Sequence, residues 1–140
     1  MFKRERRNKV IKKTALDKLK GLNQVFPYSD PVRQWKEGGG KVIGWYCNYV
    51  PEELLHAAGL LPLRATGNNK EPDLVEADNY LHIHSCTFSR CLFERVLAGQ
   101  FDFLDGYISC STCDGMRHLA DNWQHYLKVP LTYIIDVPWN

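Results

Sequence analysis

Apolar and polar positions follow two different periods along this chain, and the two periods alternate. Short apolar segments rich in β-forming residues predict buried strands, at 41–46, 60–66, 79–84, 106–110 and 131–136. Between them, apolar residues recur at helical spacing beside Pro or Gly, at 51–59, 87–99 and 114–127. This alternation favours an α/β fold: a parallel Rossmann-like sheet with flanking helices and right-handed crossovers.

The N-terminal part of the chain is predicted to be helical and to precede the sheet. An amphipathic helix is expected from about 13 to 25, where Leu16, Leu19 and Leu22 recur near helical spacing. A second, short helix is expected from Asp30 to Glu37, because a proline follows the capping aspartate in the first turn. The two helices together predict an N-terminal helical arm.

Three consecutive glycines at 38–40 mark the predicted boundary between the basic helical arm, 1–38, and an α/β domain, 39–140. Within this domain, residues 67–78 are polar and contain Pro72, so we expect them to be mostly loop. The sequence stops shortly after its last predicted strand, where α/β domains normally continue with a helix. We therefore expect the α/β domain to be the first domain of a longer subunit.

Charge is distributed unevenly along the chain. Residues 3–13 hold seven of the 18 lysines and arginines but only one of the 16 acidic residues. A basic arm of this kind can contact nucleic acid or a membrane surface. Phe2 is the one aromatic residue beside the basic ones, so nucleic acid is not an expected partner. We interpret the arm as a solvated leader or helix face.

Composition places the protein in a reducing compartment. With 44% apolar and 12% aromatic residues the chain can form a core. No apolar run approaches the roughly 18 residues that span a membrane, so no membrane partner is expected. The N-terminus has no apolar stretch typical of a secretory signal, which indicates a cytoplasmic protein. The five cysteines are therefore expected to be reduced thiols or metal ligands rather than disulfides.

Cysteines follow three of the predicted strands, at the point where each strand turns into a helix. Cys47, Cys86 and Cys113 hold these positions. Because the carboxyl ends of parallel strands share one edge of a sheet, we expect the three thiols to lie along that edge. Free N–H groups and the helix dipole favour the thiolate form there. Thiolates bind soft metals, so the pattern fits an iron–sulfur cluster or zinc.

The other two cysteines, Cys91 and Cys110, are predicted to be packed structural thiols. Cys91 lies on the apolar stripe of the helix 87–99, and Cys110 ends a buried strand. Cys86 and Cys113 immediately precede helices and are the better ligands. An alternative hypothesis combines these four cysteines into a structural zinc module whose basic arm contacts nucleic acid.

The five histidines indicate a functional site less clearly than the cysteines do. His82 and His84 are two positions apart on a predicted strand and therefore share a face. We interpret them as surface or partly buried histidines without a metal. His56, His118 and His125 are expected on helix surfaces. The sequence has no Ser-His-Asp order, no phosphate-binding glycine loop and no HExxH helix, so no catalytic residue is assigned.

Three segments, in order along the chain, resemble one protein family. They are 44–59 (GWYCNYVPEELLHAAG), 86–90 (CTFSR) and 112–114 (TCD). Together they are similar to the N-terminal signature of the 2-hydroxyacyl-CoA dehydratase/benzoyl-CoA reductase family. The resemblance extends over roughly residues 40–137 and is more specific than any single cysteine pair.

The resemblance implies the N-terminal part of an iron–sulfur subunit that acts on CoA thioesters and holds a [4Fe-4S] cluster through three cysteines. Cys86 and Cys113 match the first two cluster cysteines, and the family's third cysteine lies in a later domain that this sequence does not contain. Cys47 belongs to the first motif and is assigned to the surroundings of the cluster. Arg64 and Arg90 are charged candidates for contact with CoA, although an ordinary surface arginine is the default interpretation of each.

The resemblance also implies partners and a reaction. A related second subunit forms a heterodimer with the first, and an ATP-hydrolysing iron–sulfur activator delivers one electron at very low potential. Dehydratases of the family expel the 2-hydroxyl group of a 2-hydroxyacyl-CoA through a ketyl radical, and reductases instead reduce an aromatic ring. A catalytically silent relative that serves as a scaffold is the remaining alternative.

Overall fold

Four short strands form the sheet around which the chain folds. In a computed structural model, residues 15–67, 74–127 and 129–138 are described. Among them the strands are β1 (Val42–Trp45), β2 (Leu61–Arg64), β3 (Gly106–Cys110) and β4 (Thr132–Ile135). All neighbours pair in parallel, in the spatial order β2–β1–β3–β4. The predicted parallel α/β architecture is confirmed.

Helices precede the sheet and connect its strands. In the described residues they are α1 (15–24), α2 (Asp30–Glu37), α3 (Glu52–Ala57), α4 (Thr87–Leu97) and α5 (Asp114–Tyr126). α2 has the predicted bounds, with its proline in the first turn. The last three helices are the crossovers between successive strands, as their helical spacing predicts. The basic run at 3–13 lies outside the described residues.

Stacked aromatic rings attach α5 to the sheet. Trp123 of α5 is fully buried, and its ring centroid lies 6.0 Å from that of Tyr46, which follows β1. The Trp123 ring centroid also lies 4.6 Å from that of Tyr107 in β3. The Tyr107 hydroxyl also donates a hydrogen bond of 2.6 Å to the carbonyl of Ala120. Burial of these large rings stabilises the contact and sets the position of α5 on the sheet.

The prediction of a strand at 79–84 is wrong, because these described residues form turns. A short 3₁₀ helix, Ala77–Asn79, leads into them, and the amide of Leu81 donates to the Ala77 carbonyl at 2.8 Å. Leu81 is buried, whereas Ile83 is 69% exposed. The turn hydrogen bonds satisfy the backbone locally, so pairing with a neighbouring strand is not needed. The alternation of apolar and polar residues therefore does not mark a strand here.

The two N-terminal helices differ in how much of their apolar surface is buried. The leucines of α1 (Leu16, Leu19 and Leu22) are all exposed, although the helix forms as predicted. α2 instead buries Val32 in the main core. Across the described parts of the chain, every helix is too short or too polar to span a membrane.

An aspartate ties α2 to the amino-terminal edge of the sheet. The carboxylate of Asp105 accepts hydrogen bonds from the amide of Val42 at 2.8 Å, from Lys36 at 3.0 Å and from Lys41 at 3.2 Å. Burial raises the pKa of Asp105, but these three donors outweigh that effect, so the pKa lies below its ordinary value. Asp105 therefore joins α2 to the starts of β1 and β3 as a carboxylate.

We expect Asp105→Asn to destabilise the domain by about 1–3 kcal/mol at pH 7, because two charge-assisted hydrogen bonds are weakened. The matched control is Asp30→Asn, which removes an exposed pair with Arg33 and should cost at most about 1 kcal/mol. Urea unfolding of both variants measures the difference.

The difference in stability between wild type and Asp105→Asn should depend on pH. Since the folded-state pKa of Asp105 is lowered, its contribution is present above the ordinary aspartate pKa of about 4 and is lost as the pH falls through the folded value. The gap between wild type and Asp105→Asn should therefore shrink on acidification. A gap that grows below pH 4 contradicts the assignment.

Candidate functional site

Three cysteines lie at the carboxyl edge of the sheet, as predicted, although the elements that precede them differ. Cys47 follows β1 by two residues, and Cys113 is the N-cap of α5, three residues after β3. Cys86 is the N-cap of α4, and a turn rather than a strand delivers it. Two helix N-termini thus present a cysteine each at this edge.

Cys86 and Cys113 border one small space beside the first turn of α5. Both cysteines are exposed. A Cβ atom built on Gly115 would lie 3.8 Å from the Cys86 sulfur and 3.9 Å from the Cys113 sulfur. The glycine has no Cβ, so the space between the two sulfurs stays open. The structure therefore brings together the two cysteines that the sequence ranks as the best ligands.

A buried serine links α4 to α5 next to these thiols. Ser89 is fully buried, and its hydroxyl oxygen lies 3.2 Å from the Cys86 sulfur. The same hydroxyl donates to the carbonyl of Gly115 at 3.4 Å. The side chain of Cys86 is therefore in contact with the backbone of α5 through a single hydroxyl group.

Cys47 lies behind the exposed pair. Its thiol is buried and is 3.2 Å from the hydroxyl of Thr112, the residue before Cys113. Cys47 is also a neighbour of Cys110 and contributes to the raised pKa of that thiol. Cys47 thus contacts the turn that carries Cys113.

Cys91 and Cys110 are buried, as predicted for packed structural thiols. Burial raises the pKa of Cys91, although Arg90 acts in the opposite direction. Burial, together with the neighbouring Cys47, raises the pKa of Cys110 to about 11. Both groups are therefore protonated near neutral pH, a state in which a thiol binds metals poorly.

The five cysteines do not form one cluster. Over the described ranges, no group of three or more His, Cys, Asp or Glu side chains is placed to hold a metal ion. The four-cysteine set of the zinc alternative is therefore not gathered in one place within the described ranges. The structure supplies a pair of candidate ligands, Cys86 and Cys113.

A cleft of about 280 Å³ opens beside Cys113. It is lined by sheet-edge and helix residues: Tyr46, Cys47, Asn48, Tyr49, Arg64, Phe88, Thr112, Cys113 and Met116. The exposed Arg64 is held at the cleft, since it donates to the side-chain oxygen of Asn48 at 2.6 Å. Its guanidinium carbon also lies 5.2 Å from the centroid of the Trp45 ring. The cleft therefore combines an apolar lining with one oriented cation.

The other candidates lie apart from this arrangement. Arg90 forms a bidentate ion pair with Asp78, with its Nε 2.8 Å from one carboxylate oxygen and Nη2 2.6 Å from the other, so its charge is already neutralised. His82 and His84 are exposed on a turn, with ring centroids 4.9 Å apart, and share no strand face. The remaining histidines are exposed on helices as predicted: His56, His118 and His125.

Sequence reasoning assigned no role to Ser89, Thr112 or Gly115. Each lies within three residues of a candidate cysteine. Gly115 carried a usable signal, because a glycine in the first turn of a helix lowers helix propensity and indicates a close approach. The contacts of the two hydroxyl groups depend on how the helices pack, and spacing alone does not reveal them.

Comparison with known proteins connects this geometry to a family. The family model described as 2-hydroxyglutaryl-CoA dehydratase, D-component, matches residues 47–140. A benzoyl-CoA reductase subunit of Thauera aromatica is 38% identical over 113 residues, which are 78% of this chain and 29% of that protein. The beta subunit of (R)-2-hydroxyglutaryl-CoA dehydratase of Acidaminococcus fermentans is 36% identical over 97 residues, 69% of this chain and 25% of that protein.

A third relative, the beta subunit of (R)-phenyllactyl-CoA dehydratase of Clostridium sporogenes, is 31% identical over 109 residues, 78% of this chain and 29% of that protein. The chain thus spans less than a third of the length of these curated relatives. The matched region contains all five cysteines.

Thiol labelling tests the division into exposed and buried cysteines. In the folded chain at pH 8 we expect a disulfide reagent to modify Cys86 and Cys113 rapidly and the other three thiols slowly, because the reactive form is the exposed thiolate. Cys110, with a pKa of about 11, should gain reactivity only at strongly alkaline pH. Mass spectrometry of digested protein identifies each labelled position.

Two controls accompany the labelling experiment. Cys86→Ser and Cys113→Ser should each reduce the fast phase from two thiols to one, and denaturant should expose all five. Equal labelling rates for exposed and buried cysteines in the native chain contradict the described site.

Proposed function

Because the chain belongs to the 2-hydroxyacyl-CoA dehydratase/benzoyl-CoA reductase family, we propose that it is the N-terminal domain of an enzyme subunit that binds a [4Fe-4S] cluster and acts on a CoA thioester. The reaction is either dehydration of a 2-hydroxyacyl-CoA to an enoyl-CoA or reduction of an aromatic acyl-CoA. The names of the relatives include both kinds of enzyme. The domain spans 39–140, with the helical arm 1–38 before it.

One observation carries the proposal: two exposed cysteines cap adjacent helices and border the same space beside Gly115. Soft thiolate donors suit an iron–sulfur cluster. The N-termini of α4 and α5 add the free amides and positive dipole ends that favour the negative charge of such a group. The open space at Gly115 would be filled by any larger side chain. The donor set and its surroundings therefore fit the group.

In this proposal Cys86 and Cys113 hold the cluster, and a cysteine from a later part of the subunit supplies the third thiolate. When bound, the cluster supplies single electrons at low potential to the thioester. Cys47 is not a ligand in this proposal. Its buried thiol supports the turn of Cys113 through Thr112, at 3.2 Å.

The cleft beside Cys113 is the proposed place for the thioester. Phe88 and Met116 provide apolar surface, and Arg64 provides the oriented positive charge that a phosphate-bearing carrier such as CoA requires. Arg90 is less suited to this role, since Asp78 already accepts its hydrogen bonds. Substrate binding next to Cys113 would place the acyl group close to the bound cluster.

The proposal also includes partners. The relatives are named as subunits, so we propose a related second subunit in a heterodimer. We further propose an ATP-dependent iron–sulfur activator that delivers the electrons and a cytoplasmic location, where reduced thiols persist. Neither nucleic acid nor a membrane has a part in this function.

Iron and acid-labile sulfide contents test the proposal. After strictly anaerobic purification of the complete reading frame, we expect near-equal iron and sulfide that are lost in air. Cys86→Ser and Cys113→Ser should each remove most of the visible absorbance of the cluster, because each deletes one thiolate ligand. Cys91→Ala is the matched control and should retain iron, since the Cys91 side chain is buried whereas Cys86 and Cys113 are exposed.

Three results would contradict the cluster assignment. Unchanged iron in both serine variants removes Cys86 and Cys113 from the ligand set. Stoichiometric zinc without sulfide replaces the cluster by a zinc site, and absence of metal leaves a catalytically silent relative as the better account.

A further inference from the structure

The position of Ser89 is unusual for a hydroxyl group, because it is fully buried at the junction of two helices. It lies three residues after the N-cap Cys86, whose side chain makes no hydrogen bond to the helix backbone. The Cys86 sulfur instead contacts the Ser89 hydroxyl at 3.2 Å. The orientation of the Cys86 side chain is thus determined by a side-chain contact rather than by ordinary capping.

The hydrogen-bonding capacity of the two groups suits both the thiol and the thiolate state of Cys86. A serine hydroxyl has one proton and two lone pairs, and a thiol has one weak donor. While Ser89 donates to the Gly115 carbonyl at 3.4 Å, the free thiol of Cys86 can donate to the Ser89 oxygen. A Cys86 sulfur bound to a metal has no proton, and Ser89 is then the donor within reach. The hydroxyl can therefore serve both states of the cysteine.

Gly115 makes this link possible. A Cβ atom at position 115 would lie 3.3 Å from the Ser89 hydroxyl oxygen, closer than ordinary contact, and would enter the space that Cys86 and Cys113 border. Ser89 therefore supplies the contact between α4 and α5, and the absence of a side chain at Gly115 leaves room for the Ser89 hydroxyl.

We propose that Ser89, together with Gly115, is a positioning residue that holds the Cys86 sulfur opposite the Cys113 sulfur and so sets the geometry of the two-thiolate site. The inference rests on the proposed function in that the two cysteines are taken as a ligand pair. The relative placement of the two thiols can be measured without a cluster.

An arsenical that binds thiol pairs provides the test. Phenylarsine oxide condenses with two thiols, forming two As–S bonds and releasing one water without any change in oxidation state, so it reports how well two sulfurs are placed. We expect one equivalent to bind the reduced chain at Cys86 and Cys113. Cys86→Ala and Cys113→Ala should each abolish the two-point attachment seen by mass spectrometry.

Ser89→Ala should weaken binding of the arsenical about tenfold, which corresponds to loss of roughly one hydrogen bond. Ser109→Ala is the matched control, because Ser109 is a second fully buried serine, located within β3. It should leave the affinity within about twofold even if it lowers the melting temperature. Ser89→Thr, which keeps the hydroxyl, should recover most of the affinity.

Affinities are compared only below the melting temperature of each variant, as measured by circular dichroism. Where Ser89→Ala melts too low, Gly115→Ala tests the same space and should also weaken two-point binding. Equal affinities for wild type, Ser89→Ala and Gly115→Ala overturn the proposal. Equal losses for Ser89→Ala and Ser109→Ala also overturn it, since the effect would then be a general one on stability.

A second measurement separates this inference from the proposed function. In the complete protein, Ser89→Ala should retain iron but shift the reduction potential of the cluster to a more negative value, because a hydrogen bond to a ligand sulfur is removed. Iron with an unchanged potential contradicts the role of Ser89 while the proposed function stands. Absence of iron in the wild type contradicts the proposed function, and the arsenical result still decides whether Ser89 positions the two thiols.

Discussion

The attachment of α5 to the sheet is the constraint on which the rest of the site depends. Tyr46 and Tyr107 stack against Trp123, and their hydroxyls donate to backbone carbonyls one turn apart in α5, at Met116 (3.4 Å) and Ala120 (2.6 Å). Burial raises the pKa of both tyrosines, so they remain protonated donors wherever the fold persists. These contacts fix α5 along its axis and so fix Cys113 at its N-terminus.

From this fixed helix the site is built in two layers. The inner layer contains buried thiols, Cys47 and Cys110, whose surroundings keep Cys110 protonated. The outer layer contains exposed thiols at helix N-termini, where negative charge is favoured. Whether a cysteine here is a packed thiol or a candidate ligand therefore depends on its burial and on the electrostatic field at the helix N-terminus. Ser89 connects the outer layer to α5, so that the position of Cys86 depends on the same helix as that of Cys113.

The two central strands could be predicted from the sequence, because their burial requires apolar runs. β1 is buried at every position and β3 at four of five, and both were predicted. The segment 79–84 has a similar composition but buries Leu81 and exposes Ile83, a distinction that only tertiary packing makes. Cys86 still caps its helix, since the helical pattern and not the strand determines that position. The contacts of Ser89 depend on how two helices cross, which no spacing encodes.

The exposure of Cys86 and Cys113 has a consequence for how such a site is completed. Two thiolates on adjacent helix ends can approach a cluster from one side only, and the described residues gather no third metal-binding side chain beside them. A cluster with a single protein face would keep its other face toward water, which favours its oxidation and loss. In the proposed function, a third thiolate from outside the described residues closes that face. In that case the two thiolates of this domain are already placed by the link between α4 and α5, and the third ligand would join a preformed pair.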